Sequence, residues 1–419
     1  MKHYKNINVL DAAKKRIADN IDHFDDFYVS FSGGKDSGVL LDLVIEVAKE
    51  KNKLPVKVVF SDLEAIYQET ERYVKSQMSR PEVEPYWLCL PEIDENASSV
   101  FERYYTMWDK TQEENWVRPI PDLPYVITED NMDDTLRKYV DLDNISEWSI
   151  TSFGEYLCDI KGKTNICNFI GLRSEESYGR YMTIAAGKNR NKLNQHTYLN
   201  KGKNTRTWIS LPIYDWEFAD IWYYYQSNNL DYNRLYDKFL KLGIPESEMR
   251  TCYAFGSEQK KSLWMYTQIE PETFDRLLNR VQGVNFGKNY NTTNINRGKI
   301  KKPDHITWKA YMEILLSELP PLTKQNFEEK FKIVYRYHTV MYCDKMNLEF
   351  DYIACDSRDE ERQKQKESGL PYKVFFSYET MCGAIIRRDF VMKVYGFGYS
   401  NKMVKRIKNM NENWNQENK

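Results

Sequence analysis

Six consecutive residues, Ser32-Gly33-Gly34-Lys35-Asp36-Ser37, combine the groups that phosphate chemistry needs. The glycine pair lets a backbone turn closely with no Cβ between it and an incoming anion. Lys35 adds a mobile cation, and the hydroxyls of Ser32 and Ser37 can donate to phosphate oxygens. Asp36 carries a hard carboxylate, suited to Mg2+ or to capping a helix. The spacing is neither the GxxxxGK[ST] of a Walker loop nor the GxGxxG of a dinucleotide fold.

Such a loop needs a strand to deliver it and a helix to polarise it. "FYVSF" precedes it and is β-rich. "SGVLLDLVIEVAKE" follows, with Val39, Leu40, Leu43, Val44 and Val47 on one helical face. The start of that helix points its N–H groups and positive dipole end back at the loop. A further helix is expected over residues 9–21, a strand over 54–62, a helix in "YQETERYVKSQM", and a buried strand running into a loop over 164–177. Strands alternating with helices at this interval predict βαβ units and a mostly parallel sheet. Near residue 215 the texture changes to aromatic-rich helical segments such as "DWEFADIWYYYQSNNL". The expected organisation is an α/β nucleotide-binding domain over 1–230, a mainly helical domain over 231–400 and a polar tail over 401–419.

Bulk composition narrows the classes. A chain of 419 residues allows two or three domains, and 41% hydrophobic residues suffice for a sizeable core. With 60 basic against 62 acidic residues the chain is not polybasic, so any nucleic-acid surface must be local. Two segments lack acidic residues: 187–206, with Lys188, Arg190, Lys192, Lys201, Lys203 and Arg206, and 287–302, with Lys288, Arg297, Lys299, Lys301 and Lys302. Both are rich in Asn and Gly and are expected as loops; clustered cations there could meet a polyanion. The seven cysteines (Cys89, Cys158, Cys167, Cys252, Cys343, Cys355 and Cys382) never form CxxC, which predicts neither zinc nor an iron–sulfur cluster. No secretory pattern and no membrane-length apolar run is present, so a cytoplasmic location is expected. Trp108, Trp116, Trp148, Trp216, Trp222 and Trp264 are placed in cores and interfaces more readily than against bases. His23, His196, His305 and His338 have no metal spacing and are assigned no role.

"SGGKDS" resembles the PP-loop of the adenine nucleotide α-hydrolase-like superfamily, which includes N-type ATP pyrophosphatases and phosphoadenosine phosphosulfate (PAPS) reductases. That resemblance implies a doubly wound parallel sheet with a mainly helical C-terminal extension, and a loop holding the phosphates of ATP or the anionic end of a sulfonucleotide. "VVFSDLEAIYQETERYV" resembles the second-strand motif, placing Asp62 and Glu64 near ribose or metal, with Thr70 on the next helix. "FIGLRSEESYGR" resembles the GxRxxES-type segment and implies nucleotide-binding roles for Gly171, Arg173, Glu175, Glu176 and Arg180. "TMWDKTQEENWVRPIP", "PIYDWEFADIWYYY", "IEPETFDRLLNRVQGVNFG" and "SYETMCGAIIRRDFVMKVYGF" resemble the subgroup called immunoglobulin-binding regulator A, whose members join a PAPS-reductase-like domain to a C-terminal domain of unknown function.

The chain departs from the reductases where their chemistry lies. The ECGxH-type motif is absent, and Cys382 in "TMCGAI" has no preceding Glu and no following His. Cys382 is expected as a buried helix residue. The expected activity is cleavage of ATP between the α- and β-phosphates, with Lys35, Asp36 and Arg173 catalytic and Asp36, Asp62 and Glu64 holding Mg2+. The nucleotide set is Ser32, Gly33, Gly34, Lys35, Asp36, Ser37, Asp62, Glu64, Gly171, Arg173, Glu175 and Arg180. The acceptor is open and includes nucleic acid. Two other readings stand beside it: a PAPS binder, and a nucleotide-dependent regulator working with the small ParB-like partner implied by the subgroup.

Overall fold

The computed structural model describes residues 6–96, 98–99, 104–140, 152–185, 192–194, 196–200, 205–251, 254, 263–284, 300–370, 374–390 and 392–395. The chain divides into two compact units, Met1–Glu92 with Thr106–Tyr253, and Ile93–Tyr105 with Ala254–Lys419.

The first unit is built on strands β1 (Asp26–Ser30), β2 (Val56–Ser61), β3 (Val83–Cys89), β6 (Val126–Thr128), β7 (Ile166–Ile170), β8 (Lys192–Asn194), β9 (Thr197–Leu199) and β10 (Thr207–Ser210). Two short strands, β4 (Glu92–Glu95) and β5 (Tyr104–Met107), make a separate ribbon. The sheet order is β6-β3-β2-β1-β7-β10-β9-β8. Strands β6 through β10 in that order pair in parallel, and β9 and β8 extend the sheet by antiparallel pairing. The chain moves outward from β1 in one direction and resumes at β7 on the other side. That reversal opens a crevice beyond the carboxyl ends of β1 and β7, where ligands bind in open α/β sheets.

Helices α1 (Val9–His23), α2 (Lys35–Glu50), α3 (Gln68–Met78), α4 (Asp134–Arg137), α5 (Ser152–Lys161), α6 (Tyr178–Ala185), α7 (Phe218–Ser227) and α8 (Leu235–Lys241) flank the sheet. On α2, Val39, Leu40, Leu43, Val44 and Val47 are all at most 1% exposed, as their helical spacing requires. Each such side chain contributes about 1.5–3 kcal/mol by leaving water. Another cluster gathers Tyr28, Val59, Leu88, Phe153, Leu157 and Ile166. The loop is thereby held between a buried strand and a helix packed along its length.

Segment 187–206, expected as loop, supplies β8 and β9, because β10 presents an edge for β9 and pairing overrides a polar, Asn-rich composition. β3 lies outside the strands expected from the sequence and carries Pro85 within it. Pro85 is tolerated because it sits opposite Val58 of β2, while β6 joins the other side only from Trp87 onward.

In the second unit, helices α9 (Leu263–Ile269) and α10 (Pro271–Arg280) precede helices Trp308–Ser317, Pro321–His338, Arg358–Ser368 and Tyr378–Ile386. A short parallel pairing joins Ala354–Cys355 to Phe376–Ser377. Phe327, Phe331, Val334, Ile353, Phe376 and Met381 form its core. Cys382 is fully buried there, and its thiol donates to the carbonyl of Trp308 at 3.4 Å.

Candidate functional site

Gly33 adopts φ +70°, a left-handed turn, and a Cβ there would lie 2.8 Å from Thr70 Cγ2 and Val74 Cγ2. Glycine is required by both conformation and space. Gly34 then caps α2 with extended backbone, and Asp36 falls in the first turn, where the helix dipole favours its charge. The loop is internally bonded: Ser32 N–H donates to Ser37 Oγ at 3.3 Å, Ser37 Oγ donates to the Gly34 carbonyl at 3.0 Å, and the two hydroxyls lie 3.0 Å apart.

Three residues distant in sequence complete the loop's frame. Asn233 Nδ2 donates to the Gly33 carbonyl at 2.9 Å and to Thr70 Oγ1 at 3.0 Å. Tyr236 Oη accepts from the Lys35 N–H at 3.1 Å, and Tyr225 Oη donates to the Lys35 carbonyl at 2.8 Å. The sequence reading took the amides of this helix start as free donors; that of Lys35 is instead engaged by Tyr236. Nothing local announces these partners, which lie about 200 positions downstream.

Charge is concentrated below the loop. Lys35 Nζ donates to Asp36 Oδ2 at 2.8 Å, and Arg173 Nε donates to Asp36 Oδ1 at 2.5 Å. Lys35, Asp36 and Arg173 are all buried. Burial holds the Lys35 ammonium below its ordinary pKa; Asp36 opposes that shift, and Arg173 and Arg180 add to it. The Lys35 ammonium also lies 5.5 Å from the ring centre of Phe218 and 5.4 Å from that of Tyr236. Gly171 brings the end of β7 against this network, since a Cβ there would meet Asp36 C, Asp36 O and Ser37 Cα at 3.0 Å.

A cavity of about 220 Å³ opens over the loop. Ser32, Gly34, Lys35, Asp36 and Ser37 line one side, with Gly171, Glu176, Arg180 and Arg250 around them. Phe60, Leu63 and Ile66 give the remainder an apolar wall. Arg180 pairs with Glu176 one helical turn away. Met249, Arg250 and Thr251 join this lining from a segment the sequence reading did not single out.

Other expected residues lie elsewhere. Arg173 supports Asp36 from beneath, and Glu175 accepts from Arg173 Nη1 at 3.1 Å and from the Phe218 N–H at 2.8 Å. Neither lines the cavity. Asp62 accepts from Trp87 Nε1 at 2.7 Å and from Arg118 Nη2, and the Glu64 carboxylate accepts the N–H groups of Trp108 at 2.8 Å and Val117 at 3.1 Å. Both carboxylates are buried acceptors, and Leu63 between them lines the cavity instead. Asp36, Asp62 and Glu64 therefore do not converge on a common cation. Among the described residues no group of three or more His, Cys, Asp or Glu side chains forms a metal site. Of Asp36, Asp62 and Glu64, Asp36 alone lines the cavity.

The basic segments lie mostly outside the described residues, including Lys188, Arg190, Lys201, Lys203, Lys288, Arg297 and Lys299. Within them, Arg206 is engaged by Glu155 at 3.0 Å and Asp159 at 2.8 Å. Trp148 and Cys252 also lie outside. Trp108 and Trp216 are buried, whereas Trp116, Trp222 and Trp264 are half-buried. No described helix is long and apolar enough to cross a membrane.

Residues 26–269 match the family model described as the phosphoadenosine phosphosulfate reductase domain, and residues 243–344 match a domain of unknown function, DUF3440. The uncharacterized protein YbdN of Escherichia coli K12 is 32% identical over 338 residues, covering 79% of this chain and 80% of that protein. A PAPS reductase from Candida auris, in a phosphate complex, aligns at 14% identity and TM-score 0.30, over 55% of this chain and 85% of that one. The FMN adenylyltransferase of Candida glabrata in complex with ATP aligns at 14% identity and TM-score 0.32, over 54% and 57%.

Proposed function

The chain belongs to the phosphoadenosine phosphosulfate reductase domain family, and from that premise we propose that it cleaves ATP between the α- and β-phosphates. The observation that carries this reading is the cavity at the sheet's switch point, with a loop of Ser, Gly, Lys and Asp on one wall and apolar Phe60, Leu63 and Ile66 on another. A nucleotide presents the matching polarity, polyphosphate at one end and an aromatic base at the other.

In this reading the β- and γ-phosphates lie on the loop, where Lys35, Arg180 and Arg250 offset their charge. A nucleophile, water or an acceptor hydroxyl or amine, attacks the α-phosphorus. The bond from that phosphorus to the bridging oxygen breaks, and pyrophosphate leaves with the electron pair. Catalysis is then positioning and charge stabilisation rather than covalent chemistry. Arg173 acts as a positioning residue, holding Asp36 so that Lys35 is presented at the cavity. Mg2+ arrives with the nucleotide as part of the substrate, held by its phosphates.

The family's name raises a second reading, in which the same loop holds PAPS. Reduction needs a thiolate, and the first unit's described cysteines do not supply one. Cys89, Cys158 and Cys167 are buried, and desolvation raises all three thiols above the ordinary range. Sulfonucleotide binding without reduction is the form of that reading the described residues allow.

Product analysis with ATP labelled at the α-phosphate separates the two. Release of AMP or a labelled adduct together with pyrophosphate, lost in Lys35→Ala, supports the first reading. Intact ATP with selective PAPS binding replaces it with the second.

A further inference from the structure

A larger cavity, about 430 Å³, lies at the carboxyl ends of β3 and β6 rather than over the phosphate loop. Its volume falls within the range of about 300–1,000 Å³ that accommodates small organic ligands. One segment, "TMWDKTQEENWVRPIP", contributes most of its wall, although the phosphate chemistry makes no use of that segment. Trp108 and Trp116 stand edge to face, with ring centres 5.3 Å apart. Their indole N–H groups are already spent on the carbonyls of Asp62 and Asp109. Trp108 is buried, so the half-buried Trp116 is the indole that offers ring surface rather than a donor.

Arg118 supplies the second observation. It is 8% exposed and lines the cavity, with its guanidinium carbon 5.2 Å from the Trp108 ring centre. One terminal nitrogen pairs with Asp62 and the other lies 3.5 Å from Glu71, yet Nε is buried with no hydrogen-bond partner. Being buried, Nε is closed off from the cavity as well, so Arg118 stands there as a fixed cation beside the Trp108 ring and paired with Asp62, not as a free donor. Lys110 and Arg118 stand in the lining against Glu113, Glu129 and Asp130, and Arg118 is paired with Asp62 behind it, so the wall is net acidic. Such a wall repels phosphate and accepts from amino groups, as carboxylates do from the exocyclic amine of cytosine.

We propose that this cavity binds a planar amino-bearing nucleobase, stacked on Trp116, with its amine toward the Glu113 and Glu129 carboxylates. Any attached phosphates point away from the acidic wall. The inference is independent of the reaction assigned to the loop cavity, with which this one shares no lining residue.

Calorimetric titration of the full chain with cytidine and uridine, neither carrying phosphate, tests it. Cytidine binds and uridine binds at least tenfold more weakly, a preference that Glu129→Gln reduces. Trp116→Ala weakens cytidine about tenfold, the scale of one base–aromatic stack. Ile120→Trp, which fills the cavity from another wall, does the same should Trp116→Ala perturb folding. Lys35→Ala leaves cytidine affinity unchanged, which keeps the result separate from any failure of ATP cleavage. Absence of cytidine binding, equal affinity for uridine, indifference to both cavity variants, or loss of binding in Lys35→Ala overturns the proposal.

Discussion

Arg173 Nε donates to Asp36 Oδ1 at 2.5 Å, joining the segment after β7 to the first turn of α2 across the point where the strand order reverses. The other oxygen of Asp36 accepts from Lys35 Nζ. One carboxylate thus holds two cations, so its removal acts on stability as well as on nucleotide handling.

Asp36→Ala leaves Lys35 and Arg173 buried without their shared counter-charge. Breaking a buried pair from one side costs about 3–5 kcal/mol, and the denaturant midpoint should fall accordingly. An unchanged midpoint would remove the electrostatic account of this triad.

Lys35→Ala, by contrast, removes one cation and leaves Asp36 paired with Arg173. The fold should persist while pyrophosphate release falls about 100- to 1,000-fold, the scale of one preorganised charge at a developing anion. Steady-state assays beside circular dichroism give both readouts.

Gly38→Ala places a methyl 2.2 Å from Tyr225 Oη and 2.4 Å from Tyr73 Oη, two hydroxyls only 3.3 Å apart. Overpacking of this kind costs about 1–3 kcal/mol. Replacing both tyrosines by phenylalanine in the same chain should recover part of the loss, as read by thermal unfolding. Gly171→Ala has no such rescue, because backbone atoms of Asp36 and Ser37 oppose its methyl.

Asp62→Asn tests whether that carboxylate is structural. It should lower stability, by leaving Arg118 without its buried partner, and should leave the Mg2+ dependence of turnover unaltered. A shifted Mg2+ requirement at unchanged stability would return Asp62 to the nucleotide.

His338 gives the second unit a pH signature. Burial lowers its pKa from 6.5 to about 4, and its Nδ1 lies 3.0 Å from the Val374 carbonyl. The unfolded chain takes up this proton first, so the stabilisation is complete above about pH 6.5 and is lost as pH falls toward 4. The loss amounts to about 3 kcal/mol at 1.36 kcal/mol per pKa unit. In His338→Phe the unfolding curve should flatten over that window.

The sequence by itself determined the local half of this protein. Periodicity placed β1, α2, β2 and α3, because strand and helix spacings are read from consecutive residues, and the run from Ser32 to Ser37 named the loop. The second set of partners was legible only as a resemblance: Gly171 and Arg173 meet Asp36 through a parallel crossover that no local pattern encodes. Tertiary structure alone decided that Asn233, Tyr225 and Tyr236 would frame the loop, that Asp62 and Glu64 would turn to Arg118 and to backbone amides, and that polar residues near 192–199 would pair as strands on β10. The reason is physical. A buried carboxylate or hydroxyl takes whichever partner the packed chain brings within hydrogen-bond distance, and that partner is set by topology rather than by sequence neighbourhood.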